Sequence, residues 1–288
     1  MVFIECMRYH PLFMEKRIAY QGITGSFSSM AARALYGPDI TPLQTTRFRE
    51  IFEHIIQGRA DIGVVPIENA LAGSVHENYD LLQEYRCFVI DEYYCPVHLH
   101  LLCSGPLKGI TRVFSHPKAL EQCSRFLESH PHITAVVCSD TAGAAFQVAQ
   151  SKDPANAAIA SQEASEEYAL PIVQESIQNH ATNATRFVAI AAEPMPCAAP
   201  TKCSMVVSLR HEPGSLYKLL GLFANLTINL TKLESRPVAG KPFEYAFHID
   251  LECPEHASND LTKAIAEAER YASDVRILGL YMARHGTL

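Results

Sequence analysis

The chain has 288 residues, 48% hydrophobic and 19% charged, a globular composition long enough for two domains. Its formal net charge of −7 argues against a nucleic-acid partner, and no apolar run approaches the ~20 residues of a membrane span. Nine cysteines, an odd number scattered from Cys6 to Cys253 without a C-x-x-C pair, indicate reduced thiols rather than a disulfide framework.

Residues 1–16 are mildly apolar but interrupted by Glu5, Arg8 and His10, which suits a cytoplasmic tail and not a secretory signal. From Arg17 to about Ala192 short apolar strands alternate with amphipathic helices. RIAYQG reads as a strand, and SFSSMAARALYG as a helix with Phe27, Met30, Ala31, Ala34 and Leu35 on one face. In TRFREIFEHIIQG, Phe48, Ile51, Phe52, Ile55 and Ile56 keep helical spacing, and Gly58 supplies the left-handed stop. DIGVVPIEN is a strand and VHENYDLLQEY a short helix. A long extended segment, VIDEYYCPVHLHLLCSG, leads to a second round: strand TRVFSH, helix PKALEQCSRFLES opened by Pro117, and strand ITAVVCS. Helix DTAGAAFQVAQ with Asp140 as N-cap, strand AAIAS and helix QEASEEYAL complete it. Two such rounds predict an α/β domain of two lobes with a cleft between them.

EPMPCAAP is a linker by composition. Beyond it KCSMVVSLR, SLYKLLGLFANL, NLTKLES, FEYAFHIDLE, NDLTKAIAEAERYA and VRILGLYM give a βαββαβ, ferredoxin-like order. In FEYAFHIDLE, Tyr245, Phe247, Ile249 and Leu251 alternate with Glu244, Ala246, His248 and Asp250, as in a half-buried antiparallel strand. The expectation is a small sheet with one open face, suited to dimerisation and ligand sensing.

The residues offer no metal pattern with a matched second pair: His98-x-His100 reads as strand packing and His130-Pro131-His132 as a turn. No dinucleotide fingerprint or P-loop is present, and no metal or cofactor is expected. What recurs is a strand followed by a small polar cluster that opens a helix. The cases are Thr24-Gly25-Ser26, Asn69 with Gly73-Ser74, Ser115-His116 and Asp140-Thr141-Ala142-Gly143. Each offers N–H groups at a helix start, an anion cradle, or else ordinary helix capping. Three N-x-[ST] sequons, at Asn183, Asn225 and Asn229, read as chance matches in a chain with reduced cysteines.

The stretches IGVVPIENALAGSVHENYDLL, VFSHPKALEQCSRFL, DTAGAA, AAIAS followed by YAL, and N-A-TRF stand in the order and spacing of the prephenate dehydratases. The resemblance runs from Arg17 nearly to the end, where PGSLYKLL and ESRP resemble the phenylalanine-binding motifs of an ACT regulatory domain. It implies a two-lobed catalytic domain (17–193) resembling periplasmic binding proteins, a linker (194–201) and an ACT domain (202–288). The implied activity is decarboxylative dehydration of prephenate to phenylpyruvate, inhibited by L-phenylalanine, in a homodimer or homotetramer. With only sixteen residues before Arg17, no chorismate mutase bundle is expected, so the chain reads as monofunctional.

By that resemblance Thr185 donates toward the leaving hydroxyl, Arg186 pairs with a carboxylate and Phe187 walls the ring. Asn69, Ser115 and Gln122 are catalytic hydrogen-bonding groups of the cleft, with Glu68, Thr24 and Ser26 among its substrate-binding residues. Thr141, Ala142 and Gly143 take the side-chain carboxylate. Phenylalanine would lie against Gly214, Ser215, Leu216, Asn229, Leu230, Glu234, Ser235 and Arg236. Three departures are visible. GITGSFS lacks the usual proline before its second glycine, Ser215 replaces a common alanine, and Asn179-His180 stands where two aspartates are common. The last removes negative charge near the site. Two other readings stay open at this point: arogenate dehydratase, and a non-catalytic two-lobed amino-acid sensor.

Overall fold

A computed structural model describes residues 16–210, 212–237 and 245–284. The part of FEYAFHIDLE before Tyr245 lies outside the described residues.

The first round of elements runs β1 (Arg17–Gln21), α1 (Phe27–Tyr36), β2 (Thr41–Thr45), α2 (Phe48–Ile56), β3 (Ile62–Asn69), β4 (Gly73–Ser74), α3 (His76–Glu84) and β5 (Phe88–Pro96). Ile18, Val64, Val65 and Ile67 are buried, the near-continuous apolar pattern of strands covered on both faces. Helix α2 buries Ile51, Phe52 and Ile55, while Ile56, at the edge of the same stripe, is left 52% exposed. Gly58 takes φ +66 just past the helix, the conformation its stop signal required.

The second round contains β6 (His100–Leu102), β7 (Arg112–Ser115), α4 (Pro117–Gln122), α5 (Ser124–Ser129), β8 (Thr134–Val137), α6 (Thr141–Ser151), β9 (Asn156–Ala160), α7 (Gln162–Glu167), β10 (Ile172–Gln174) and β11 (Ala184–Ala191). Two sheets result. One has the order β2-β1-β3-β11-β5 with β4 on β3, and the other the order β10-β6-β9-β7-β8. Helix α6 buries Ala142, Ala144, Ala145 and Val148 against β9 and β7, small residues that let helix and sheet approach closely. The turn after β1 rests on the second lobe: Ser161 Oγ donates to Gly25 O at 2.8 Å and Tyr168 Oη to Thr24 O at 2.5 Å. Gly25 sits at φ +86, and a Cβ there would lie 3.0 Å from Ala164 Cα. A glycine is required.

The single helix expected over 117–129 is two, broken at Cys123. Asn179 breaks it. Its N–H donates to Gln122 O at 2.6 Å, its Nδ2 to Glu121 O at 3.3 Å and Ser124 Oγ at 2.9 Å, and its Oδ1 accepts from Arg125 N at 3.1 Å. Apart from the Ser124 hydroxyl, these are backbone groups that a continuous helix would pair within its own turns. An amide both donates and accepts here, which an aspartate cannot do. The departure at this position is therefore an architectural one.

The last elements, β12 (Lys202–Leu209), α8 (Ser215–Asn225), β13 (Asn229–Pro237), β14 (Tyr245–Glu252), α9 (Ser258–Ala268) and β15 (Ala272–Tyr281), form the ferredoxin-like βαββαβ unit with sheet order β13-β14-β12-β15. Cys203, Met205, Val207, Ile249 and Leu251 pack on Leu219, Phe223, Leu261 and Ala264 of the two helices. The other face differs from the open one expected. Lys202, Ser204, His248 and Asp250, which alternation assigns to it, are all buried.

The chain divides into two compact units; of the described residues, the unit that holds this sheet contains 82–92 and those from Ala189 on, and the other contains 16–81 and 93–188. Within the first unit Arg276 donates to Gln83 O and Leu82 O at 2.9 and 3.0 Å, and Lys202 Nζ lies 2.9 Å from both carboxylate oxygens of Glu92. A Cβ at Gly279 would overlap the Val89 carbonyl oxygen. The polar face is thus covered by a segment 110 to 194 residues away in sequence, which no local pattern in FEYAFHIDLE reveals.

Candidate active site

The carboxyl end of β3 meets the amino end of β11, where Ala70 N donates to Ala184 O at 2.9 Å. Asn69 closes β3 and Thr185 opens β11, so two motifs 116 positions apart are brought into contact. Asn69 Oδ1 accepts from Leu71 N at 3.0 Å and Ala72 N at 2.9 Å, which fixes its amide orientation. Its Nδ2 then faces three acceptors: Thr185 Oγ1 at 2.9 Å, Asn183 Oδ1 at 2.9 Å and Ala184 O at 3.1 Å. Thr185 therefore accepts a hydrogen bond, and its own hydrogen stays available to donate. Asn183 is 2% exposed, so in the fold its amide is out of reach of a glycan-adding enzyme.

Along β11 side chains alternate, which sets Thr185 and Phe187 on one face and Arg186 on the other. Arg186 and Phe187 are both buried, at 6% and 2% exposure. The pleat thereby separates the arginine from the threonine that the sequence placed beside it. Glu68 lies on β3 across from Ser74 of β4.

The helix starts are mostly closed by their own side chains. Ser26 caps α1 by accepting from Ser29 N at 3.2 Å. Asp140 caps α6, its Oδ1 accepting from Gly143 N at 2.6 Å. The Gly143 N–H expected to receive a ligand carboxylate is already occupied. Thr141 and Ala142 keep the first two N–H groups of the helix, which no turn of α6 can pair. Thr24 Oγ1 accepts from Gln44 Nε2 at 3.1 Å. Burial, with Glu167, Asp140 and Tyr20, pushes the Tyr168 phenol up to about 12, so it remains the donor to Thr24 O.

Ser115, at the end of β7, is fully buried and gives its hydrogen to Ile159 O at 2.6 Å, which leaves its oxygen only as an acceptor. The next residue, His116, caps α4 by accepting from Lys118 N at 3.2 Å through Nδ1. Burial holds its imidazole below the usual histidine range, against the opposing pull of Asp140 and with a smaller push from Lys118. Gln122 ends α4, half-buried, with its backbone held by Asn179.

In the ferredoxin-like unit Gly214 stands at φ +80 before α8, and Ser215 Oγ donates to Glu212 O at 3.0 Å. Leu216 lies in the first turn of the same helix. Asn229, Leu230, Glu234, Ser235 and Arg236 lie on β13, which pairs with β14 alone in the described sheet. Alternation puts Glu234 and Arg236 on one face and Ser235 on the other, with Glu234 3.2 Å from Lys232 Nζ. Sequence reasoning gave no working part in the site's frame to Asn183, which it quoted only within N-A-TRF and as a sequon, and read Asn179 only as a change of charge.

The fold and site define a two-sheet α/β domain with a polar strand-end site, followed by a ferredoxin-like module. Residues 18–195 match the model of the prephenate dehydratase family. The chain belongs to that family. It is 38% identical over 287 residues to arogenate dehydratase 3, chloroplastic, of Arabidopsis thaliana, a match covering 92% of this chain and 66% of the plant protein. The prephenate dehydratase of Arthrobacter aurescens in complex with L-Phe aligns with TM-score 0.78 at 28% identity, over 93% of this chain and 90% of that one. GqqA, described as a novel type of quorum quenching acylase, aligns with TM-score 0.83 at 30% identity, over 93% and 98%.

Proposed function

We propose that this chain removes carbon dioxide and water from prephenate to give phenylpyruvate, in the biosynthesis of phenylalanine. The observation that carries the reading is the 2.9 Å contact from Asn69 Nδ2 to Thr185 Oγ1, which leaves the threonine hydrogen free to donate. In the reaction the ring C–O bond and the bond to the ring carboxylate break together, the carboxylate electrons entering the ring as it becomes aromatic. The departing hydroxide takes one proton and leaves as water. A threonine alcohol is too weak an acid to give up that proton at neutral pH unaided, so its contribution is a preorganised hydrogen bond to the oxygen as charge develops. Asn69, by donating to the same Oγ1, makes that hydrogen a stronger donor.

Phe187 walls the ring on the face it shares with Thr185. Gln122, whose amide makes no hydrogen bond among the described residues, and the acceptor oxygen of Ser115 complete the catalytic set. Thr141 and Ala142 supply N–H groups for the side-chain carboxylate, with Thr24, Ser26 and Glu68 shaping the surrounding turns. Arg186 has the weakest geometric support as a direct carboxylate partner, because it faces away from Thr185.

The same reading assigns residues 17–193 to catalysis and 202–288 to an ACT domain, joined by 194–201. L-phenylalanine, held by Gly214–Leu216 and the β13 residues Asn229, Leu230 and Glu234–Arg236, would inhibit from there. A homodimer or homotetramer and a cytoplasmic location belong to the reading. Every described cysteine is a free thiol, which supports a reducing compartment. None of the described helices is long and apolar enough to cross a membrane.

The likeness to arogenate dehydratase 3 supports a second substrate, arogenate, with an amine in place of the keto group and phenylalanine as product. The likeness to GqqA supports a third reading, an acylase. A single experiment separates them. The purified chain is incubated with prephenate, with arogenate and with an N-acyl substrate, and phenylpyruvate, phenylalanine and released acyl group are quantified, with and without added L-phenylalanine. Phenylpyruvate formation suppressed by phenylalanine is the expected result. A larger kcat/KM for arogenate moves the substrate, acyl release alone moves the reaction class, and no turnover leaves the sensor.

A further inference from the structure

We propose that Asn183 is a positioning residue of the site, which acts through Asn69 to set the hydroxyl of Thr185. The inference rests on the dehydratase reading above for its kinetic consequence, and on the hydrogen-bond pattern alone for its geometry.

Asn69 Nδ2 has two hydrogens and three oxygens within 3.1 Å. Which two it serves decides whether Thr185 receives a full hydrogen bond. Its oxygen is held by two backbone N–H groups, so the amide cannot turn over to relieve the competition. Asn183 Oδ1, at 2.9 Å, is the one acceptor of the three that belongs neither to the backbone nor to the reacting group. It draws one hydrogen and with it fixes the plane of the amide and the direction of the other.

The orientation of Asn183 is equally forced, since exchanging its oxygen and nitrogen would set two NH₂ groups against each other. The consequence is unfavourable in isolation. Asn183 Nδ2 is buried without a hydrogen-bond partner among the described residues. A buried donor without an acceptor destabilises a fold, and groups of this kind that persist stand where function holds them. An apolar residue would fill the position more stably, so what Asn183 contributes is the oxygen it presents to Asn69.

The test compares Asn183→Ala, Asn183→Asp, Thr185→Ala and the double variant Asn183→Ala/Thr185→Ala. In each, kcat and KM are measured together with the unfolding midpoint and the ¹⁵N–¹H signals of the Asn69 carboxamide. Asn183→Ala is expected to lower kcat by about 10- to 100-fold, with KM within about threefold and the midpoint unchanged or raised. Asn183→Asp keeps an oxygen toward Asn69. It should recover most of kcat while raising KM, because the added charge repels an anionic substrate. In the Thr185→Ala background the alanine at 183 should cause no further loss, and the Asn69 signals should move in both single variants. The proposal is overturned by an equal loss in the Thr185→Ala background, or by Asn69 signals that do not respond to Asn183→Ala. Absence of turnover in the unaltered chain sinks the dehydratase reading instead, and the Asn69 signals still decide the role of Asn183.

Discussion

Two polar clusters in this molecule, one buried and built on charges, the other partly buried and built on amides, differ in what they leave unused. Around Lys202, Glu92 faces the ammonium with both oxygens at 2.9 Å, and Ser204 bridges Asp250 at 2.6 Å and the Tyr281 hydroxyl at 2.7 Å. The ammonium there is paired and the Ser204 hydroxyl is held on both sides. Around Asn69, by contrast, three oxygens share two hydrogens, Thr185 keeps a hydrogen to give, and Asn183 keeps a buried NH₂ without an acceptor among the described residues. A closed network specifies structure, and an open one is ready to receive a ligand's oxygens. The difference lies in unsatisfied capacity, not in polarity.

The largest effect is expected where the open cluster is closed. Asn69→Asp keeps the oxygen that accepts from Leu71 and Ala72 but replaces the donor to Thr185 with a carboxylate oxygen. Thr185 would then donate inward, and kcat should fall by about 10²- to 10³-fold with the fold intact, as read by steady-state kinetics beside circular dichroism. Opening the closed cluster should instead damage stability. Glu92→Ala leaves the buried Lys202 ammonium only Glu252 at 3.7 Å and is expected to lower unfolding free energy by about 3 kcal/mol in urea titrations. Joint replacement, Glu92→Gln with Lys202→Met, should recover part of that loss, and recovery of nothing would mean the pair is not the reason.

Smaller effects test the parts that hold the site without touching its chemistry. Asn179→Asp removes the donor to Glu121 O and Ser124 while keeping the acceptor for Arg125 N, with an expected loss of about 1 kcal/mol and a raised KM if Gln122 shifts with the helix break. Asp140→Ala should lower stability by about 1 kcal/mol through loss of the α6 cap. It also frees Gly143 N–H, so tighter binding of a dicarboxylate, measured by calorimetry, would show that the cap competes with a ligand.

The smallest expected effect is a pH dependence at His100. Burial holds its imidazole below the usual range, with Glu175 opposing and His98 adding to the fall, while its Nδ1 accepts from Ser176 N at 3.1 Å. The unfolded chain takes up this proton near pH ~6.5 and the native chain resists it. The stabilisation is therefore complete above that pH and is lost as pH falls through the lower native value. His100→Gln should flatten the decline in Tm between pH 7 and pH 5.5, and an unchanged slope would assign the decline elsewhere.

Much of this was legible in the residues. Helical spacing located the helices and period-two spacing most of the strands, but β2, β4, β10 and β11 were not read as strands; Gly58 and Asp140 stand where their turn and cap chemistry predicted. What local pattern could not supply was competition between distant groups. Asn179 interrupts a helix more than fifty residues earlier, and Leu82–Glu92 covers a sheet face that alternation alone presents as open. The helix starts offered as anion cradles illustrate the same limit, because a serine or aspartate reads alike whether it awaits a ligand or caps its own helix. The resemblance offered Thr185 as a candidate reacting group, whereas the pleat that turns Arg186 away and the amide of Asn183 were visible only once β3 and β11 lay side by side.

The central claim is that the free hydrogen of Thr185 assists the departing hydroxyl, and a single-turnover comparison of Thr185→Ser with Thr185→Val tests it most directly. The serine keeps the hydroxyl and the valine keeps the shape. Formation of the aromatic product, followed by its absorbance with enzyme in excess over prephenate, should remain within about tenfold of the unaltered rate for serine and fall by about 10²-fold or more for valine. Equal rates in the two variants would contradict the account.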